Sequence, residues 1–138
     1  MELTRRSAIA LGAGALLIAG LPIRASAAAE DAIAAFTGGA AVGAGDISLT
    51  APEIAENGNT VPIEVSSATA VEILVLAMGN PTPGVATFKF GKMAASRHAS
   101  TRIRLAGTQD VVAIAKLEDG SFVQAASTVK VTIGGCGG

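Results

Sequence analysis

Cys136 is the only cysteine of this 138-residue chain, and it stands in the run Gly134-Gly135-Cys136-Gly137-Gly138. A thiol can attack as a nucleophile, exchange with a disulfide or carry a covalent adduct. Free cysteines usually pack as small apolar residues, but four flanking glycines offer no side chain to pack against. Chain termini are ordered only where something ties them down. The run therefore reads as a slender arm that presents its thiol. Cys136 is three residues beyond Ile133, the end of the last predicted strand, so the sulfur can project roughly 10 Å past it. Ordering each backbone residue costs about 1–2 kcal/mol, so such an arm docks weakly, as suits a group that visits and leaves. The run contains no base, lysine or helix start to activate the thiol. An unperturbed thiol titrates near ~8.5 and is only a few per cent thiolate at neutral pH. Activation must come from another protein, and Cys136 reads as a substrate-bearing thiol rather than a catalytic nucleophile.

The remaining candidates are few. His98 is the only histidine, so any Ser-His-Asp or Cys-His arrangement would have to use it. Its neighbours Ser96, Arg97 and Ala99 predict a surface loop before a strand. One Cys and one His are too few for a zinc site. The fragment Gly38 to Gly43 neither follows a strand nor opens a helix, so it is no phosphate cradle, and no dinucleotide fingerprint is present. Arg102 and Arg104 alternate with Ile103 and Leu105. They read as the solvated or partner-facing side of a half-buried strand, able to meet an anion or a carboxylate. The chain reads as a protein without a cofactor or metal, and not as a stand-alone enzyme.

Residues 1–27 read as an export signal. Arg5 and Arg6 precede a weakly hydrophobic stretch from Ala8 to Ile23, interrupted by Gly12, Gly14, Gly20 and Pro22, and Ala25-Ser26-Ala27 offers a cleavage site. A membrane span needs about 20 largely apolar residues, so a permanent anchor is disfavoured. The paired arginines resemble a twin-arginine (Tat) signal, though Ala8 and Ile9 stand where such motifs prefer Phe and Leu. Tat export carries folded cargo and, at times, a folded partner without a signal of its own. The expected location is the periplasm. In an oxidising compartment an unpaired cysteine indicates intermolecular pairing or a reactive thiol.

About 110 residues follow the signal, enough for one domain that buries roughly 60–70% of its unfolded surface. Without Arg5, Arg6, Arg24 and Glu2, that part holds 7 basic and 10 acidic residues, a net charge of −3. Nucleic-acid binders carry a basic footprint, so that class is excluded. Trp and Tyr are absent, which removes the usual stacking platforms. Glu30 to Phe36 predicts a short helix stopped at Gly38, and Gly38 to Gly45 a loose connector. Strands are predicted at 61–65, 72–77, 85–90, 101–106, 110–117, 122–125 and 127–133. Asp119-Gly120 marks a hairpin, and Asn57-Gly58, Asn80 to Gly84 and Gly107-Thr108 mark further turns. Seven short strands at this spacing predict an all-β fold, an immunoglobulin-like antiparallel β-sandwich over 28–133. The Gly-Gly-Cys-Gly-Gly arm over 134–138 would follow it.

The ending Val129 to Gly138 resembles the C-terminus of the SoxY family, sulfur-carrier subunits of a periplasmic sulfur-oxidation system. Pro52 to Pro62, Thr101 to Ala106, the Asn80-Pro81-Thr82-Pro83 turn and the Asp119-Gly120 hairpin match as well. The resemblance implies a heterodimer with a SoxZ-like subunit. It further implies that Cys136 is joined to thiosulfate by a c-type cytochrome, SoxAX. A hydrolase, SoxB, would release sulfate, and a sulfane dehydrogenase, SoxCD, can oxidise the sulfur left behind. Gly134, Gly135, Gly137 and Gly138 would give clearance inside those active sites. Two alternatives stay open on the residues alone. One is a secreted structural sandwich whose terminal cysteine locks an intermolecular disulfide, and the other is a persulfide carrier without oxidation.

Overall fold

The computed structural model describes residues 26–133. Arg5 and Arg6, and the arm residues Gly134, Gly135, Cys136, Gly137 and Gly138, lie outside the described residues. The chain forms one helix, α1 (Ala27–Thr37), and nine strands. These are β1 (Val42–Gly43), β2 (Ser48–Thr50), β3 (Ile54–Ala55), β4 (Val61–Ser66), β5 (Ala70–Ala77), β6 (Gly84–Lys89), β7 (His98–Ile103), β8 (Gln109–Leu117) and β9 (Phe122–Val131).

Two sheets pack face to face as an all-β sandwich. The larger has the order β1-β9-β8-β5-β6, with β3 also paired to β9, and the smaller has the order β2-β4-β7. β1 and β3 run parallel to β9, at its start and its end respectively. The other pairs are antiparallel. β4 alternates as its sequence requires: Val61, Ile63 and Val65 are buried, while Pro62 and Glu64 are exposed. Pro62 has no N–H to offer a ladder. The β2 ladder accordingly reaches only Thr50 opposite Glu64 and stops short of it.

The unbroken apolar runs of β5 and β8 have a different cause: both faces of these strands are covered. Ile73, Val75, Val111, Ala113 and Ala115 join Val61, Ile63, Val65 and Leu105 between the sheets. Leu74, Leu76, Val112 and Ile114 point the other way and pack under α1, against Ala29, Ala32, Ile33 and Phe36. Those helix residues recur at the three-to-four spacing of one helical face. Phe36 meets Phe122 edge to face, with ring centroids 5.7 Å apart. The Ser26 hydroxyl accepts the Ala29 N–H at 3.2 Å and caps the helix, which ends at Gly38 in the left-handed region (φ 66°).

Several expectations need adjustment. The helix starts at Ala27, three residues before the predicted Glu30, because three alanines behind a serine cap make a good first turn. Ser26 and Ala27, assigned above to the export signal, thus open the helix. The two strands predicted at 122–125 and 127–133 are one strand, in continuous register with β8 from Phe122 to Val129. Small residues Ala125-Ala126-Ser127 weaken the apolar pattern there without breaking the ladder. β7 lies three residues earlier than the predicted 101–106. The connector Gly38 to Gly45 is not loose throughout. β1 lies within it, and a Cβ on Gly45 would stand 2.6 Å from a Val123 methyl.

Asp46 ties this connector to the β4–β5 turn. One carboxylate oxygen accepts from the Ser67 and Thr69 hydroxyls and from the Ala68 and Thr69 N–H groups, at 2.9–3.1 Å. The Thr69 hydroxyl, followed by the Ser67 hydroxyl and these N–H groups, holds its pKa below the ordinary carboxylate value. A depressed pKa stabilises the fold above the unfolded-state value and loses that contribution as pH falls through the folded one. Asp46→Ala should therefore lower the melting temperature at neutral pH, and the gap to wild type should close below about pH 4. Thermal melts at pH 7 and pH 3 check this. A gap that persists undiminished at pH 3 would contradict it.

Candidate functional site

The described residues nearest Cys136 are the last turns of β9 and the two residues after it, and the fold grips them from both sides. On one side, the Lys130 N–H donates to the Glu53 carbonyl at 2.9 Å and the Thr132 N–H to the Ala55 carbonyl at 3.1 Å. The Thr132 hydroxyl donates to the Glu56 carbonyl at 3.2 Å. The Ile133 carbonyl accepts the Gly58 N–H at 2.8 Å, and the Gly58 carbonyl in turn accepts the Leu105 N–H at 2.7 Å. On the other side the Val131 N–H donates to the Thr108 hydroxyl at 3.0 Å. Each of residues 130–133 thus makes at least one hydrogen bond to a segment outside its own hairpin turn. Residues 130–133 are thereby fixed to the rest of the fold.

A second network stiffens the loops at this end. The Asn80 amide donates to the Arg104 carbonyl at 2.7 Å, and its carbonyl oxygen accepts from the Ala106 N–H and the Gln109 amide, both at 2.9 Å. Gln109 also accepts the Gly79 N–H at 2.9 Å. The Asn80-Pro81 turn is thereby locked to the β7–β8 loop that carries Leu105, which is fully buried. Asn80→Ala removes three hydrogen bonds at a partly buried site and should cost about 1–3 kcal/mol of stability. Urea unfolding measures this, and an unchanged midpoint would contradict the anchoring role.

The other sequence candidates do not converge on the arm. His98 is not in a loop but is the first residue of β7. There β4 supplies Ser66 as its register partner and Glu64 at 3.6 Å from Nε2. Proximity to the β8–β9 turn through the Arg97–Glu118 ion pair puts it at the opposite end of the sandwich from Ile133. Arg102 and Arg104 are exposed while Ile103 and Leu105 are buried, as their alternation requires. Arg102 lines a shallow groove of about 600 Å3 with Thr50, Pro62, Glu64 and Ser100 on the outer face of the smaller sheet. Among the described residues no group of three or more His, Cys, Asp or Glu is placed to hold a metal ion. Nor is any described helix long and apolar enough to cross a membrane.

The rooted β9 leads directly into the thiol run, and comparison with known proteins bears on that continuity. A family model described as "Sulfur oxidation protein SoxY" matches residues 33–136, from inside α1 to the cysteine. This chain belongs to the SoxY family. The solved structure of the sulfur carrier protein SoxY from Chlorobium limicola f thiosulfatophilum is similar to it, with 36% sequence identity and a TM-score of 0.65. That match covers 75% of this chain and 96% of the other. Superoxide reductase (neelaredoxin) from Ignicoccus hospitalis superposes with a TM-score of 0.56 at 16% identity, covering 63% of this chain and 80% of that one. At such identity the likeness is one of fold alone. Curated protein sequences give no match. Within the SoxY family match lie β3 and Thr108, which hold residues 130–132, and Asn80 and Gln109, which brace the neighbouring loops. Residue-by-residue reading missed these roles. Asn80-Pro81 was legible as a turn, but not as a clamp on a loop 24 residues away.

Proposed function

We propose that this chain is a covalent carrier of sulfur intermediates in thiosulfate oxidation, with Cys136 as the attachment point. The observation that carries this reading is the SoxY family match running through Cys136. It is supported by the anchorage of residues 130–133 just before it. The chemistry belongs to partner enzymes. In the first step the thiol loses its proton, a sulfur–sulfur bond forms to the sulfane sulfur of thiosulfate, and two electrons pass to a haem protein of the SoxAX type. Water then cleaves the terminal sulfonate, catalysed by a SoxB-like hydrolase, releasing sulfate and leaving a persulfide on Cys136. A SoxCD-like dehydrogenase can oxidise that outer sulfur to a sulfonate with oxygen from water, passing the electrons on. A second hydrolysis then restores the thiol.

Gly134, Gly135, Gly137 and Gly138 keep the arm narrow on both sides of the sulfur. The domain that carries it is read as immunoglobulin-like, and a SoxZ-like subunit as its partner. Arg5 and Arg6 are read as the export signal that delivers the protein, folded, to the periplasm. The test is incubation with thiosulfate and the oxidising cytochrome, followed by peptide mass mapping. One thiosulfate unit should be found on the peptide holding Cys136. An unmodified thiol after full oxidation of the added thiosulfate would overturn the proposal.

A further inference from the structure

Asparagine, a thermolabile residue, occurs at three positions: Asn57, Asn59 and Asn80. It loses its side-chain amide when the backbone nitrogen of the next residue attacks Cγ, so that residue sets the reactivity. Pro81 follows Asn80 and has no N–H to deprotonate. Thr60 follows Asn59, and its branched Cβ crowds the attacking nitrogen. Gly58 follows Asn57 and presents no side chain at all. Asn57 is also exposed, in the turn between β3 and β4. By sequence it is the most reactive of the three. Asp119-Gly120 shares the glycine but not the chemistry. The Ser121 hydroxyl and N–H hold the Asp119 carboxyl below its ordinary pKa, and an ionised carboxylate has no leaving group.

In the fold both groups that must react at Asn57 are engaged. The buried Gly58 donates its N–H to the Ile133 carbonyl at 2.8 Å, and the Asn57 side-chain oxygen accepts the Asn59 N–H at 3.0 Å. The Gly58 carbonyl accepts the Leu105 N–H at 2.7 Å, so residue 58 is held by both of its polar groups. An amide in such a bond gives up its proton only when the bond opens. The neighbouring Thr132 keeps it closed, through its N–H to the Ala55 carbonyl and its hydroxyl to the Glu56 carbonyl.

We propose that Asn57 is a deamidation site gated by the hydrogen bond between Gly58 and Ile133. While residue 133 is docked, the Gly58 nitrogen keeps its proton. When residue 133 lifts away, hydroxide removes that proton, the nitrogen bonds to Asn57 Cγ, and the side-chain nitrogen departs as ammonia. Water then opens the resulting succinimide at either carbonyl, giving aspartate or isoaspartate with no change of oxidation state. The isoaspartyl product has one extra carbon in the main chain between residues 57 and 58. Gly58 then no longer fits between Ile133 and Leu105, and the clasp does not re-form. The reaction is a one-way record of opening at the end of β9, whatever Cys136 carries.

The full chain, native or unfolded in urea, is incubated at mildly alkaline pH and digested for peptide mass mapping, with hydrogen exchange read at the Gly58 amide. Conversion at Asn57 should be at least about tenfold slower in the native protein than in the unfolded one. Thr132→Val removes the hydroxyl bond to Glu56 and should speed native conversion about threefold. Thr132→Pro also removes the N–H bond to Ala55 and should speed it about tenfold. Gly58 exchange should rise in step. Isolated isoaspartyl protein should melt below the unmodified form. Asn57→Gln, whose longer side chain disfavours the ring, should leave that position unmodified. Equal rates in native and unfolded protein overturn the gate. So does a wild-type rate in the Thr132→Val protein, whether or not Thr132→Pro folds. Conversion at Asn59 ahead of Asn57 overturns the assignment of the site.

Discussion

Replacing Cys136 by Ser should abolish thiosulfate-dependent turnover while leaving the fold intact. A serine hydroxyl is far less acidic than a thiol and forms no sulfur–sulfur bond, so neither the oxidative conjugation nor any later step has a place to occur. The loss should be complete rather than graded, because every intermediate in the proposed cycle hangs on that one atom. None of the described core residues depends on it: the core lies between β4, β5, β7, β8 and β9, and under α1. Circular dichroism and the melting temperature should match wild type. A Cys136→Ser protein that supports thiosulfate oxidation at the full rate would sink the carrier reading.

Widening the arm should have the next largest effect. Gly135→Phe adds a ring directly beside the cysteine and restricts the backbone angles that glycine leaves open. A reacting sulfur displaced by about 1 Å within an active site can lose 100-fold in rate. The expected result is a fall of about 10- to 100-fold in kcat/KM with each partner enzyme. Reaction of the thiol with a small reagent should be unaffected, since that reaction needs no cleft. Stopped-flow measurement with both reactants separates the two. Equal kinetics for wild type and variant with every partner would mean that the glycines do not serve clearance.

Much of the scaffold was legible because it obeys simple periods. Val61 to Val65 alternates and is a strand with one buried face. Asp119-Gly120 between apolar runs is a hairpin, with Gly120 at φ 87° and Asp119 holding the Ser121 hydroxyl and N–H. The unbroken run Ile73 to Ala77 spoke for burial but did not say by what. That depends on α1, whose apolar residues come some 40 positions earlier. β1, β2 and β3 are two or three residues long, too short for any period to register. They exist because the edge of β9 and the free side of β4 offer ladder partners.

The candidate site divides along the same line. Cys136 and its glycines are a local signal and stood out at once, as did the alternation of Arg102 and Arg104 with Ile103 and Leu105. What holds residues 130–133 is non-local: Glu53, Ala55, Glu56 and Gly58 reach them from some 75 residues away, and in the neighbouring loops Asn80 reaches Gln109 across 29. Nothing in the composition of those stretches distinguishes a clamp from an ordinary turn. His98 was misplaced into a loop because Ser96-Arg97 reads as irregular, whereas the six-residue ladder with β4 draws the strand back to His98 itself.

The most direct test of the carrier role is mass spectrometry of the native protein taken from cells oxidising thiosulfate, with thiols trapped at harvest. A population bearing sulfur adducts on the peptide that contains Cys136, thiosulfonate and persulfide among them, is expected, and it should disappear when thiosulfate is withdrawn. Cys136 present only as a disulfide to another chain, unchanged by the presence or absence of thiosulfate, would contradict it.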